Sequence, residues 1–178
     1  MRSAPAIESL GHVGIFCKDM ARQVQFYTEV LSLQITDRDE VAGLTFLSSD
    51  PEREHHMLLL LPGRAGDDTV VQQIAFRCSS LGDVIGFHDR LIGAGASIDK
   101  VLSHGNAVGV YFWDPEGNRC EVYWDTGLKA AQPFLKDIDL GSGEDAVMAA
   151  VRDAVEIYGD TGYIEPHYRR SPSETTED

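Results

Sequence analysis

Apolar and polar positions alternate weakly over residues 7–17, and β-branched residues are frequent there, so the pattern predicts a strand. Asp19 then stands where a helix would be capped, and Met20, Val24, Tyr27 and Leu31 recur at helical spacing, predicting a helix over 19–31. Three further strands are predicted at 33–36, 43–48 and 55–61. The same order recurs: a strand over 70–78, a helix over 81–93, and strands over 98–103, 108–113 and 119–124. Leu81, Val84, Ile85, His88, Leu91 and Ile92 mark the apolar side of the second helix, and Gly93-Ala94-Gly95 stops it. Asp114-Pro115-Glu116-Gly117-Asn118 has Pro and Gly where a turn between the last two strands would place them.

The two β-α-β-β-β stretches look like copies. Leu10-Gly11-His12-Val13-Gly14-Ile15-Phe16-Cys17 opens the first and Val71-Gln72-Gln73-Ile74-Ala75-Phe76-Arg77-Cys78 opens the second. Each copy later carries Asp-Pro-Glu, at 50–52 and 114–116, after nearly the same step along the chain. A near-constant step with a small insertion is the mark of a duplicated module. Beyond Thr126 the pattern breaks. Residues 128–140 read as an irregular extension. Ser142 with Asp145 resembles a capping box in front of a helix over 142–158, and 171–178 reads as a frayed acidic tail.

Composition narrows the picture. The chain has 178 residues, 43% of them hydrophobic, enough for one domain with a real core or two small modules sharing one. Its formal charge of −14 sets 29 acidic against 15 scattered basic residues, which argues against a phosphate-backbone binder. The N-terminal residues show no apolar secretory segment, and the longest apolar run, 57–62, is too short to cross a bilayer. Three cysteines, an odd count, suit a reducing cytoplasm better than a disulfide framework. Cys17 and Cys78, at matching points of two strands, read as buried packing residues. No nucleic-acid or membrane partner is expected.

Period-two geometry assigns faces. Leu10, His12, Gly14 and Phe16 share one side of the first strand, and Val71, Gln73, Ala75 and Arg77 share one side of its counterpart. Glu121 lies with Arg119 and Tyr123; Ala107, Gly109, Tyr111 and Trp113 lie together on the neighbouring strand. If the copies close around a common cleft, His12, Gln73 and Glu121 meet there. One imidazole, one carboxylate and a weak amide oxygen, with positions left open, make a divalent metal site. Plainer readings stand beside this. His12 alone would serve as a hydrogen-bonded histidine, Gln73 as a polar pocket residue, and Glu121 as the partner of Arg119.

These residues carry a resemblance. Gly11-His12-Val13-Gly14-Ile15, Phe26-Tyr27, Gln73-Ile74-Ala75-Phe76 and the long motif from Tyr111 through Asp114-Pro115-Glu116-Gly117-Asn118 to Glu121-Val122-Tyr123 resemble the vicinal oxygen chelate superfamily. That superfamily groups glyoxalase I, extradiol ring-cleavage dioxygenases, and bleomycin- and fosfomycin-resistance proteins. The resemblance covers 7–127 and implies an α+β fold: two paired βαβββ modules forming a partly open eight-stranded barrel, followed by a C-terminal helical extension. Module one would span 7–62 and module two 69–127, with 128–178 as the extension.

The branch most similar is the single-unit type I extradiol dioxygenases. His104 before a strand and Tyr111 ten residues before Glu121 resemble that branch's active-site pair. The resemblance implies His104 as acid or base, Tyr111 as hydrogen-bond donor, and His12, Gln73 and Glu121 as ligands of a divalent metal. Fe(II) is favoured, with Mn(II), Ni(II), Co(II) or Zn(II) as alternatives. Where that branch has a second histidine this chain has Gln73. Glyoxalase-type relatives accept glutamine but add a fourth ligand, for which His56 is the candidate; it lies one residue off the position opposite Glu121, which a single bulge would restore. The expected activity is ring cleavage of a small catechol-like aromatic, in a cytoplasmic homodimer. A glyoxalase- or epimerase-like lyase or isomerase, and a non-catalytic protein that sequesters aromatic ligands, are the alternatives.

Overall fold

The computed structural model describes residues 11–68 and 71–168. The predictions for 7–10, for residue 70 and for the 171–178 tail lie outside these. The fold is α+β with two mixed sheets, and the chain divides into two compact units at Asp68–Thr69.

The first unit runs β1 (Val13–Cys17), α1 (Met20–Gln25), β2 (Gln34–Asp39), β3 (Leu44–Ser48) and β4 (Leu58–Pro62). Its four-stranded sheet has the order β1-β4-β3-β2. β1 pairs with β4 in parallel, Val13 opposite Leu58, and the other neighbours are antiparallel. Asp19 caps α1, its carboxylate accepting from Arg22 N at 3.0 Å. The helix is shorter than the pattern predicts. From Phe26 to Val30 the chain makes a π turn, closed by the Leu31 N–H to the Phe26 carbonyl at 3.3 Å. A wide turn shifts the helical phase, so adjacent Phe26 and Tyr27 are both buried, together with Leu31. On the other layer, Ile15, Cys17, Leu58 and Leu60 complete this core.

The second unit runs β5 (Ile74–Arg77), α2 (Leu81–Gly93), β6 (Ser97–Ser103), β7 (Ala107–Trp113), β8 (Arg119–Asp125), β9 (Phe134–Asp137), α3 (Glu144–Tyr158) and β10 (Tyr163–Ile164). Its six-stranded sheet has the order β10-β9-β6-β7-β8-β5, so strands β5 to β8 repeat the order of the first sheet. The duplication extends to irregularities. The β2–β3 register slips between Ile35 and Asp37, and the β6–β7 register slips between Ile98 and Lys100, the equivalent place in the second copy. Val108, Val110, Phe112, Cys120 and Val122 are buried on the face covered by α2, which contributes Leu81, Val84 and Leu91. Ile92, read from the pattern as apolar-side, is exposed instead.

The 114–118 segment is the tight turn its composition suggests. Asp114 Oδ1 accepts from Glu116 N at 2.9 Å and Asn118 N at 2.8 Å, Oδ2 accepts from Asn118 Nδ2 at 2.7 Å, and Gly117 takes φ +78°. Two features of the extension differ from the sequence reading. The stretch 128–140 is not wholly irregular, because β9 within it adds to the β6 edge, Leu102 opposite Asp137. The capping box is not formed: Ser142 ends a short 3-10 turn and donates to the Asp139 carbonyl, and Gly143 precedes α3 without a side-chain cap. α3 packs against α2, burying Val147, Val151 and Ala154.

Candidate active site

In the first unit, His12 immediately precedes β1, and the Val13 N–H donates to the Met57 carbonyl at 3.1 Å. This brings the 55–57 segment beside it. The His12 and His56 rings lie 4.3 Å apart, and Phe46 stands 5.1 Å from His56 and 5.2 Å from His55. His56 reaches His12 without a bulge, because residues 55–57 lie ahead of β4 and strand alternation does not govern them. His55 Nδ1 and His56 Nδ1 are 2.9 Å apart, one donating to the other, and His55 Nε2 lies 3.6 Å from Asp37 Oδ2. Burial, then the neighbouring His12 and His55, hold His56 below the ordinary imidazole range, against Glu54, and so favour the neutral ring a metal would require.

In the second unit, register builds the site. Tyr111 and Glu121 are directly opposite across β7 and β8, and Ala75 of β5 lies opposite Glu121 on its other side. Gly109, on the same face, leaves room for the carboxylate: a Cβ there would lie 2.6 Å from Glu121 Oε1. Gln73, just before β5, donates from Nε2 to Glu121 Oε2 at 3.0 Å. Its own oxygen accepts from Arg119 Nη1 at 3.1 Å. The amide orientation is fixed by chemistry, since the carboxylate requires a donor and the guanidinium an acceptor. Arg119 also grips Asp99 Oδ2 with Nε at 3.0 Å and Nη2 at 2.7 Å, and lies 4.4 Å over the Tyr111 ring. Asp99 occupies the slipped position of β6, which turns it toward Arg119.

On the other side, Tyr111 is hydrogen-bonded to Glu121, and its hydroxyl lies 2.9 Å from His104 Nε2. His104 Nδ1 lies 2.8 Å from the Phe134 carbonyl, an acceptor only, so Nδ1 carries a proton. A phenol has one proton for two neighbours. Either the imidazole is cationic, with Nε2 donating to the phenol and the phenol to Glu121, or Glu121 is protonated and the phenol donates to Nε2. Both states hold the same number of protons, so a proton passes along Glu121, Tyr111 and His104 without charge leaving the row. Burial raises the Glu121 pKa, opposed by Tyr111, His104, Arg119 and Gln73. Burial, then Glu121, pushes the Tyr111 hydroxyl far up, so the phenol stays protonated.

Two side-chain groups thus gather sequence candidates: His12 with His56, and Gln73 with Glu121, Tyr111 and His104. Among the described residues, no group of three or more His, Cys, Asp or Glu is arranged to hold a metal ion. Arg119 is the main addition. The sequence offered it as a partner for Glu121; the structure gives it Asp99 and Gln73. Gly109 is the other, and only its place on the Tyr111 face pointed to it.

The model of the Glyoxalase/Bleomycin resistance protein/Dioxygenase superfamily matches residues 9–122. The chain belongs to this superfamily. It is 27% identical over 122 residues to a manganese-dependent 2,3-dihydroxybiphenyl 1,2-dioxygenase of Geobacillus genomosp. 3, covering 67% of this chain and 37% of that protein. It is 28% identical over 123 residues to biphenyl-2,3-diol 1,2-dioxygenase 3 of Rhodococcus globerulus, covering 65% of this chain and 63% of that one. The chain therefore spans less than two thirds of the length of either relative. Among solved structures, a genomically encoded fosfomycin resistance protein from Listeria monocytogenes superposes with a TM-score of 0.56 at 17% identity, over 68% of this chain and 94% of that one. This superposition shows the superfamily's fold. Among the described residues no helix is long and apolar enough to cross a membrane.

Proposed function

We propose that this member of the superfamily is an extradiol-type dioxygenase that cleaves the ring of a small catechol-like aromatic. The observation that carries the reading is the hydrogen-bonded row Glu121–Tyr111–His104 on one face of the second sheet. Ring cleavage of a catechol requires a proton to leave one hydroxyl and another to return to oxygen later. The row can take up one proton, its charge rising by one, share it between His104 and Glu121, and return it later. The likeness to two biphenyl-diol dioxygenases supports the same class.

The donor chemistry fits a divalent cation in part. His12 supplies an imidazole and Glu121 a buried carboxylate, with His56 as a further neutral imidazole. Gln73 does not fit as it stands, because its oxygen is held by Arg119; in this arrangement it orients Glu121 rather than ligating. When bound, a divalent cation would chelate both catechol oxygens and lower the pKa of the hydroxyls. Fe(II) is the proposed ion, and Mn(II) is the alternative favoured by the likeness to a manganese-dependent relative. The chain's own residues do the rest: Tyr111 keeps its proton and donates, and His104 holds or releases one at Nε2. Residues 7–127 are proposed as one vicinal oxygen chelate domain, its modules pairing as a partly open eight-stranded barrel in a cytoplasmic homodimer, with 128–178 as the extension.

The test is anaerobic loading of metal-stripped protein with Fe(II) or Mn(II), then 2,3-dihydroxybiphenyl and simpler catechols, then air. A yellow ring-fission product with matching dioxygen uptake, abolished in His12→Ala, is expected. No product across the panel from protein that binds the metal sinks the reading. Turnover of another substrate without dioxygen uptake would move it to proton-transfer chemistry.

A further inference from the structure

His104 lies in the short loop between β6 and β7, and the carbonyl that meets its Nδ1 comes from beyond the superfamily match, which ends at residue 122. The Phe134 carbonyl meets Nδ1 at 2.8 Å. Gln132 bridges the two segments: its Nε2 donates to the His104 carbonyl at 2.9 Å, and its Oε1 accepts from Phe134 N at 3.0 Å. The β6–β9 pairing, Ser103 opposite Lys136, places this stretch beside the loop. Gly105, at φ +72°, lets the extension approach closely, since a Cβ there would lie 2.5 Å from Ala130 Cβ and 3.1 Å from Val155 Cγ2. Phe134 is fully buried, so its carbonyl is not free to turn away.

We propose that the C-terminal extension is a working part of the site: through Gln132 and the Phe134 carbonyl it fixes His104 as the Nδ1–H tautomer, so that Nε2 alone exchanges protons with Tyr111. A neutral imidazole has two tautomers, and the one present is set by the hydrogen bond at the other nitrogen. With Nδ1–H pinned on a carbonyl, a neutral His104 has its lone pair on Nε2, facing the phenol. In the opposite tautomer Nδ1 would set a lone pair against a carbonyl oxygen, two acceptors at hydrogen-bond distance, while Nε2 would carry a fixed proton and no longer serve as base. Gln132 acts through His104 and touches no reacting atom, so it is a positioning residue. Its catalytic importance rests on the dioxygenase reading; the tautomer does not.

The experiment is long-range proton–nitrogen NMR on the full, metal-free chain with labelled histidine, His104 being assigned by the signal lost in His104→Gln. In the unchanged protein Nδ1 should carry a proton at every pH, whether Nε2 does or not. In Gln132→Ala the Nε2 signal of the neutral ring should shift from the acceptor toward the protonated position. Gln132→Glu, which keeps the acceptor for Phe134 N, should restore part of the original shift. A neutral His104 protonated at Nε2 in the unchanged protein overturns the proposal. So does a Gln132→Ala variant with unchanged shifts and an intact fold by circular dichroism. Since the readout needs neither metal nor turnover, its failure is distinguishable from failure of the dioxygenase reading.

Discussion

The Gln73 amide donates to Glu121 Oε2 at 3.0 Å, so its oxygen faces away from the carboxylate beside which it would have to ligate a cation. Arg119 holds that oxygen at 3.1 Å and is itself anchored on Asp99. The side chain between Arg119 and Glu121 thus relays a charge pairing without being charged. An imidazole at the same place would offer one lone pair and one N–H.

Gln73→His is accordingly expected to tighten divalent binding. An imidazole is a stronger ligand for Mn(II) or Fe(II) than an amide oxygen, and its N–H remains available to a neighbouring acceptor. Titration of metal-stripped protein with Mn(II) by calorimetry should show the dissociation constant falling by about tenfold or more, the scale of effects in the ligand environment. An unchanged or weaker affinity would mean that position 73 does not face the cation.

Gly109→Ala tests the space for Glu121. The new methyl would sit 2.6 Å from Oε1, so the carboxylate must turn and lose its alignment with Gln73 or Tyr111. The displaced atom is the end of a flexible side chain, so thermal stability should fall by only about 1 kcal/mol, while Mn(II) affinity falls roughly tenfold. Differential scanning calorimetry and metal titration on one preparation separate the two effects. A large stability loss with unchanged affinity would contradict the role given to Gly109.

How much of this was legible in the sequence depends on how local each signal is. Alternation over 108–113 and 119–124 about the Asp114–Asn118 turn identified the Tyr111 and Glu121 faces, because strand period and turn chemistry are local properties. The α2 helix shows Leu81–Gly93, as its periodicity indicated. The π turn after Gln25 was hidden, since it keeps the composition of a helix while changing its phase. β9 was hidden because a four-residue strand depends on the strands it joins rather than on its own pattern. Arg119 and Gln73 meet across 46 residues, through a register no local window contains.

The thiol of Cys78 provides a pH test. Burial, then Asp83, pushes its pKa up to about 11, while the Tyr123 backbone bond opposes this. An acid whose pKa is higher when folded favours the folded state below the unfolded value, about 8.5, and loses that contribution as pH rises toward the folded one. Stability should therefore decline on this account between pH 8.5 and 11, and Cys78→Ala should flatten the decline in urea titrations at stepped pH. At pH 8 the thiolate is roughly two-hundredfold scarcer than in the unfolded chain, so alkylation of Cys78, followed by peptide mass spectrometry, should be slower in folded protein by about that factor. Equal rates would contradict its burial.

Arg119→Met removes the anchor of the row while keeping much of the side chain's volume. The Arg119 and Asp99 side chains are 15% and 28% exposed, so the pair lies between a surface salt bridge and a fully buried one. The change leaves Asp99 and the Gln73 oxygen without their shared partner and removes the cation from the Tyr111 ring. A loss of about 1–3 kcal/mol is expected, below the 3–5 kcal/mol of breaking a fully buried pair. In urea unfolding this would appear as a lower midpoint with an unchanged slope. Combining it with Asp99→Asn should cost less than the sum of the single changes, because the two residues share one interaction. Strict additivity would show that Arg119 and Asp99 do not act on each other.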